Sequence, residues 1–283
     1  MILRASAGTL QKLEGKTAFS MDTAYLMLGE RCVYNCLYCS QARSSTSPSH
    51  FLSRVVWKEI SGDLLDKLNV HFKRVCVQVV SQPGYRKALR SIVPRFTIPV
   101  SLSVRPVSLE EVAEYFELGT DRVGIAVDVP RKDLFEKIRG GNYERHLSIL
   151  EKASEMFPGK ITTHVIVGLG ESDRDIIEFF LWTKERKITF SLFAFTPIKG
   201  TALEKKERPS LERYRRIQLS TYLLEKDLIT LKDIIFDQNG RIIDVRWSGE
   251  FPEEAFRTRG CPHCTRPYYN ESPKGPVYNV HWR

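Results

Sequence analysis

The chain has 283 residues, 42% hydrophobic and 27% charged, with 43 Lys and Arg against 34 Asp and Glu for a formal charge of +9. That length and balance allow one large core or two ordinary ones and exclude a disordered or fibrous chain. The apolar runs, such as residues 190–195, fall far short of the roughly 20 residues a membrane span needs, so no transmembrane helix and no membrane partner are expected. Basic residues are scattered among acidic ones rather than blocked, which reads as a solvated surface and not as a nucleic-acid face.

The N-terminus, Met1-Ile2-Leu3-Arg4, has no basic region followed by an apolar stretch and a small-residue cleavage site, which predicts a cytoplasmic chain. In that reducing setting six cysteines read as metal ligands or catalytic thiols before disulfides. Short β-branched or aromatic runs predict strands at residues 24–28, 74–80, 98–104, 122–127, 161–167 and 189–195. Amphipathic stretches between and after them predict helices at residues 57–68, 86–92, 109–118, 143–156, 173–185 and 211–226. Ser108 precedes Glu111 at the capping-box spacing, and Ser210 stands at a similar helix start.

Six apolar strands joined by helices predict an α/β fold with a parallel sheet under helices, a partial (βα)6 TIM-type barrel spanning residues 1–233. No G-x-G-x-x-G follows the first strand, so a dinucleotide fold loses its main support. Beyond residue 226, residues 234–249 fit a strand or a hairpin about Asn239-Gly240. From residue 257 onward the chain is rich in Pro, Gly and aromatics and has no period. Residues 234–283 therefore read as a C-terminal extension that needs a tether, and we expect it to fold back over the barrel mouth.

The first cysteine constellation is Cys32, Cys36 and Cys39, in the loop after the first predicted strand, the end at which βα barrels place their active sites. Three thiolates this close can each hold one iron of a cubane and leave the fourth iron open for chemistry. Structural zinc is the alternative, weakened by the missing fourth ligand and by Tyr38 before the third cysteine. The second constellation is Cys261 and Cys264, a Cys-x2-Cys turn without the strand-to-helix context of a redox motif. Cys76 sits within the second strand, where a lone cysteine is ordinarily a small core residue.

The spacing Cys-x3-Cys-x-aromatic-Cys, placed after the first strand of a partial barrel, resembles the radical S-adenosylmethionine (SAM) superfamily. That resemblance implies a [4Fe-4S] cluster on Cys32, Cys36 and Cys39. Its open iron chelates SAM, and an electron from the reduced cluster releases a 5′-deoxyadenosyl radical. An electron donor such as ferredoxin is implied with it. Within the superfamily the barrel looks most like the biotin-synthase group. Tyr38, Asp128, Val167, Gly168 and Glu171 match that group's cofactor-binding positions, and Cys76 matches the strand ligand of its auxiliary iron–sulfur cluster. Arg246, in Val-Arg-Trp-Ser, resembles its auxiliary arginine.

The chain departs from biotin synthase where two further thiols are needed, since it has Ser101 or Ser103 and Thr163 or His164 there. Cys261 and Cys264 could substitute if the tail folds back. Residues 1–31 lack the cysteine trio of the bacterial single-chain lipoyl synthase. The tail Cys-Pro-His-Cys-Thr-Arg-Pro-Tyr-Tyr-Asn-Glu instead resembles subunits of the archaeal-type, two-protein lipoyl synthase. This resemblance implies sulfur insertion into an octanoyl chain on a lipoyl carrier protein, with the auxiliary cluster as sulfur source and a second radical SAM subunit as partner. A biotin synthase or other small-molecule radical enzyme and a zinc-stabilised binding protein are the alternatives. His164 and His263 read more simply as a core and an exposed histidine. Lys205-Lys206 and residues 213–216 read as solvated helix faces or a dock for an acidic carrier.

Overall fold

The computed structural model describes residues 1–16, 20–266 and 277–280. Its elements are β1 (Leu3–Ser6), α1 (Ala7–Leu13), β2 (Thr23–Leu28), β3 (Phe51–Leu52), β4 (Val55–Glu59), α2 (Asp63–His71), β5 (Arg74–Val79) and α3 (Tyr85–Ile92). There follow β6 (Val100–Val104), α4 (Leu109–Glu117), β7 (Arg122–Ile125), α5 (Lys132–Leu134), α6 (Tyr143–Met156), β8 (Ile161–Val167), α7 (Asp173–Glu185), β9 (Thr189–Ala194), α8 (Leu211–Glu225), β10 (Ile234–Phe236) and β11 (Ile242–Val245). The main sheet runs β3-β4-β1-β2-β5-β6-β7-β8-β9. From β2 to β9 it is parallel and curls into the expected partial barrel.

Alternation along the strands divides outside from inside. In β5, Val75 and Val77 are fully buried, while Gln78 reaches the cavity described below. In β6, Val100 and Leu102 are buried apolar residues, and Ser101 and Ser103 take the opposite face. Apolar faces under helices supply the burial that stabilises the barrel, at about 25 cal/mol per Å². On these two strands the inward positions include Gln78, Ser101 and Ser103.

The predicted strands and most helices appear in place. One does not: the segment predicted as helix 57–68 is strand β4 followed by α2, because Trp57 and its neighbours pair antiparallel with β1. β1, β3 and β4 thus extend the edge that the barrel prediction ends at β2. Ser108 does accept from Glu111 N, but the Glu111 carboxylate reaches back to Val107 N and to Tyr85 and Tyr115, not to the cap. Reciprocal boxes form instead at Ser172 with Asp175 and at Thr230 with Asp233, the first a cap of about 1 kcal/mol.

The hairpin about Asn239-Gly240 forms as β10 and β11, packed over the outer helices through Ile242 N to Asp173 and Arg174 over Phe236. The extension then folds back onto the barrel. It enters at the N-terminal ends of the strands, opposite the Cys32 loop, where Thr23 at the start of β2 donates to the His263 carbonyl at 2.6 Å. It therefore forms a floor to the barrel where the sequence suggested a cap. The Pro-Tyr-Tyr-Asn-Glu stretch from residue 267 lies outside the described residues. Among the described residues no helix is long and apolar enough to cross a membrane.

Candidate active site

A cavity of about 230 Å³ opens at the C-terminal ends of the parallel strands. Cys32, Cys36 and Cys39 line it together with Tyr38, Gln78, Arg105, Asp128, Arg139 and His164, and the rest of its wall is largely apolar, including Val79, Val104, Ile166, Phe193 and Phe195. The cysteine loop is docked by Leu37 N to the Ile138 carbonyl at 2.8 Å and by the Cys36 thiol to the Arg139 carbonyl at 3.5 Å. Residues Phe135–Arg139 make a single π-helical turn, a local underwinding common at functional sites. Gly140 caps this turn, and at the next residue, Gly141 with φ +95°, a Cβ would meet the Arg105 guanidinium at 2.6 Å.

The loop fits a thiolate-bound cluster. Backbone amides of Tyr34 and Gln41 donate to Cys32 and Cys39, each at 3.4 Å, and Arg105 stands 3.9 Å from Cys36. Donors and a cation around sulfur favour the charged form that iron requires. Against them, burial and the neighbouring Cys36 push the Cys39 thiol up to about 12. A bound cation would reverse that balance.

Asp128 is buried with φ 62°, a left-handed backbone that costs on the order of 1 kcal/mol outside glycine. Its carboxylate accepts from Tyr38 Oη at 2.6 Å and from His164 Nε2 at 2.9 Å and pairs with Arg139. Burial, with Arg266 and Arg139 nearby, lowers His164 to about 3, so it serves this pair as a neutral donor. His164 is thus part of the cavity wall and not an isolated core histidine. Val167, Gly168 and Glu171 stand behind that wall. The Glu171 carboxylate accepts from the amides of Gly168, Leu169 and Gly170 at 2.7 to 3.0 Å and pairs with Arg213 at 3.0 Å.

The other three cysteines meet one layer below. Tyr25, Cys76 and Ser101 lie side by side in register on β2, β5 and β6. Cys264 Sγ lies 3.7 Å from Tyr25 Oη, and Cys261 hydrogen-bonds to Ser101. The tail pair therefore flanks Cys76, whose thiol is raised by burial first and then by Cys261 and Cys264. Gln78 donates to Cys76 Sγ at 3.1 Å and joins this layer to the cavity above. Among the described residues neither trio converges on a point for a single ion. A cubane offers each thiolate a different corner and does not ask for convergence.

Arg246 is not brought to this layer. It is exposed just after β11, with its amide on the Asp233 carbonyl at 2.8 Å, because the hairpin packs outside the barrel. Arginines that do reach this layer are Arg74, which donates to Ser101 Oγ at 2.9 Å, and Arg266, stacked 4.0 Å over Phe193 and close enough to Cys76 to offset a small part of its upward shift. Arg105, one residue beyond β6, and Gln78, two residues after Cys76, were findable from strand alternation. Arg139 had no sequence signal. The basic cluster at residues 213–216 is also not a free face: Arg213 pairs with Glu171 and Asp173, Arg215 bonds the Tyr278 and Val277 carbonyls, and Arg216 bonds the Ile242 carbonyl.

The radical SAM superfamily model matches residues 26–183. The chain belongs to that superfamily. Among its relatives, a GTP 3′,8-cyclase of Lactiplantibacillus plantarum is 28% identical over 65% of this chain and 56% of its own length. Another, of Listeria welshimeri, is 26% identical over 89% of this chain and 72% of its own. A lipoyl synthase of Koribacter versatilis is 25% identical over 55% of this chain and 53% of its own. The chain thus spans only about half the length of two of these relatives. The maturase HydG of the [FeFe]-hydrogenase superposes with a TM-score of 0.59 at 14% identity, covering 72% of this chain and 49% of its own, which shows the shared fold. As a radical SAM enzyme the chain takes a [4Fe-4S] cluster and SAM.

Proposed function

We propose that this radical SAM enzyme inserts sulfur into an unactivated aliphatic chain, an octanoyl group carried on a lipoyl carrier protein, as one of two cooperating lipoyl synthase subunits. Cys32, Cys36 and Cys39 hold the radical-forming cluster in this reading, and Cys76, Cys261 and Cys264 an auxiliary one. The bound cluster and SAM supply a 5′-deoxyadenosyl radical able to abstract hydrogen from an aliphatic carbon. The observation that carries the reading is Cys76, held with the tail pair directly beneath a largely apolar cavity and linked to it by Gln78.

This chain's own residues do the positioning. Arg139, Tyr38 and neutral His164 hold the Asp128 carboxylate fixed on the cavity wall, and the turn shaped by Glu171 supports the proposed adenosyl edge from behind. The apolar strand-end residues exclude water from a radical and accommodate methylenes. A ferredoxin-type donor would supply the electron.

The cyclase relatives favour a second reading, radical ring closure on a nucleotide. A triphosphate asks for free cations within the cavity. Here Arg139 is paired with Asp128, and Arg105 is bonded to the Arg139 and Gly140 carbonyls and stacked 3.9 Å over Tyr34. The deciding experiment presents anaerobically reconstituted protein with SAM and perdeuterated octanoyl carrier protein, GTP or dethiobiotin. Deuterium transferred from the octanoyl chain into 5′-deoxyadenosine is expected. Turnover with GTP and none with octanoyl carrier would overturn the reading.

A further inference from the structure

The auxiliary thiols stand between two cavities. The upper one belongs to the Cys32 loop, is not lined by Cys76 itself, and is joined to it by the Gln78 hydrogen bond. A second cavity, of about 570 Å³, opens at the N-terminal ends of the strands and is lined by Cys261 and Cys264 themselves, with His263, Asp22, Glu225 and Arg259. Its charged groups are matched to one another: Asp22 pairs with Lys73 at 2.9 Å and with His263 at 3.3 Å, and Glu225 pairs with Arg259. Cys261 and Cys264, whose own partners among the described residues are only the Ser101 and Tyr25 hydroxyls, are the soft sulfur donors of this lining. Between the cavities Arg266 stacks on Phe193, and Tyr25 Oη accepts from the amides of Thr265 and Arg266, which partitions the barrel.

We propose that the lower cavity is a loading port, through which a cubane ligated by small thiolates reaches Cys261, Cys264 and then Cys76 without passing through the SAM cavity. The need to reload after each turnover rests on the sulfur-insertion reading; the route does not. The step is ligand exchange: each incoming thiol gives its proton to a departing donor thiolate as its sulfur bonds iron, and no electron changes hands. Reloading from below leaves the upper cavity free to keep its own occupants, which a single shared entrance would not allow.

The test uses the full chain in a Cys32→Ser/Cys36→Ser/Cys39→Ser background, so that only auxiliary uptake is read. Ser20→Trp, at the exposed rim of the lower cavity, should slow uptake from a 2-mercaptoethanol-ligated cubane at least about fivefold, while Ile198→Trp in the upper cavity should leave it within about twofold. Ser20→Ala, with an unchanged melting temperature, controls for folding. A parallel readout needs no cluster: iodoacetamide labelling of the metal-free, unaltered chain should lose its fast phase at Cys261 and Cys264 in Ser20→Trp and keep its rates at Cys32 and Cys36. Normal uptake insensitive to Ser20→Trp, or slowed by Ile198→Trp instead, overturns the port and leaves the two-cluster reading standing. No uptake in the unaltered background overturns both.

Discussion

The two cysteine trios are built in opposite ways. Cys32, Cys36 and Cys39 share one loop, so local backbone brings them together, and the rest of the barrel only docks that loop at Ile138 and Arg139. Cys76, Cys261 and Cys264 come from a strand and a distant tail, so their meeting depends on the whole barrel being folded and on Tyr25, Ser101 and Thr23 receiving the tail. The local trio can survive damage to the tail. The assembled trio cannot survive damage to either of its parts.

That asymmetry sets the largest expected effect. Cys36→Ala should abolish SAM cleavage, at least about a hundredfold, since the catalytic cluster loses one of three ligands. Cys76→Ala should leave SAM cleavage within about threefold while removing the octanoyl product. Counting iron and sulfide after anaerobic reconstitution separates the cases: about eight irons in the unaltered chain and about four in Cys76→Ala or in Cys261→Ala/Cys264→Ala, at four per cubane. Eight irons retained in the tail variant would break the comparison. An intermediate effect is expected at Asp128. Asp128→Asn leaves Arg139 buried without its partner, which costs about 3 kcal/mol in a melting or urea experiment and raises the KM for SAM about tenfold. A KM unchanged in a folded variant would remove Asp128 from the site.

The same contrast explains what the sequence made legible. The first trio lies within eight residues, and its chemistry follows from spacing. The strands were visible because their outward residues, such as Val75, Val77, Val100 and Leu102, are apolar on every second position. β4 was misread because Trp57 continues an apolar period into α2, and only pairing with β1 decides between strand and helix. For the second trio the residues were nameable but their place was not. Which end of the barrel receives the tail depends on hydrogen bonds from Thr23 and to Tyr25, and neither leaves a trace in the tail's own sequence. Arg246 and Arg266 differ in the same way: a short motif pointed to the first, and the path of the chain carries the second inside.

The gentlest probe of the assembled trio is the anchor beneath it. Asp22 meets His263, between the two tail cysteines, and its carboxyl is held below the ordinary value of 3.8 by the hydrogen bond from Lys73, with Lys12 and His263 adding to it. A group whose folded pKa is lowered contributes stability that is present above its unfolded pKa and lost as pH falls through the folded one. Asp22→Asn should therefore lower the melting temperature by about 2 °C at pH 7, corresponding to less than about 1 kcal/mol for a partly exposed pair. The difference from the unaltered chain should begin to shrink near the ordinary value of 3.8 and vanish once the pH has fallen through the lowered folded value. If the anchor matters to the port, the same variant should speed labelling of Cys261 and Cys264 about twofold at pH 7 while leaving Cys32 unchanged. A uniform change at both trios would mean that Asp22 stabilises the barrel as a whole and does not hold the tail.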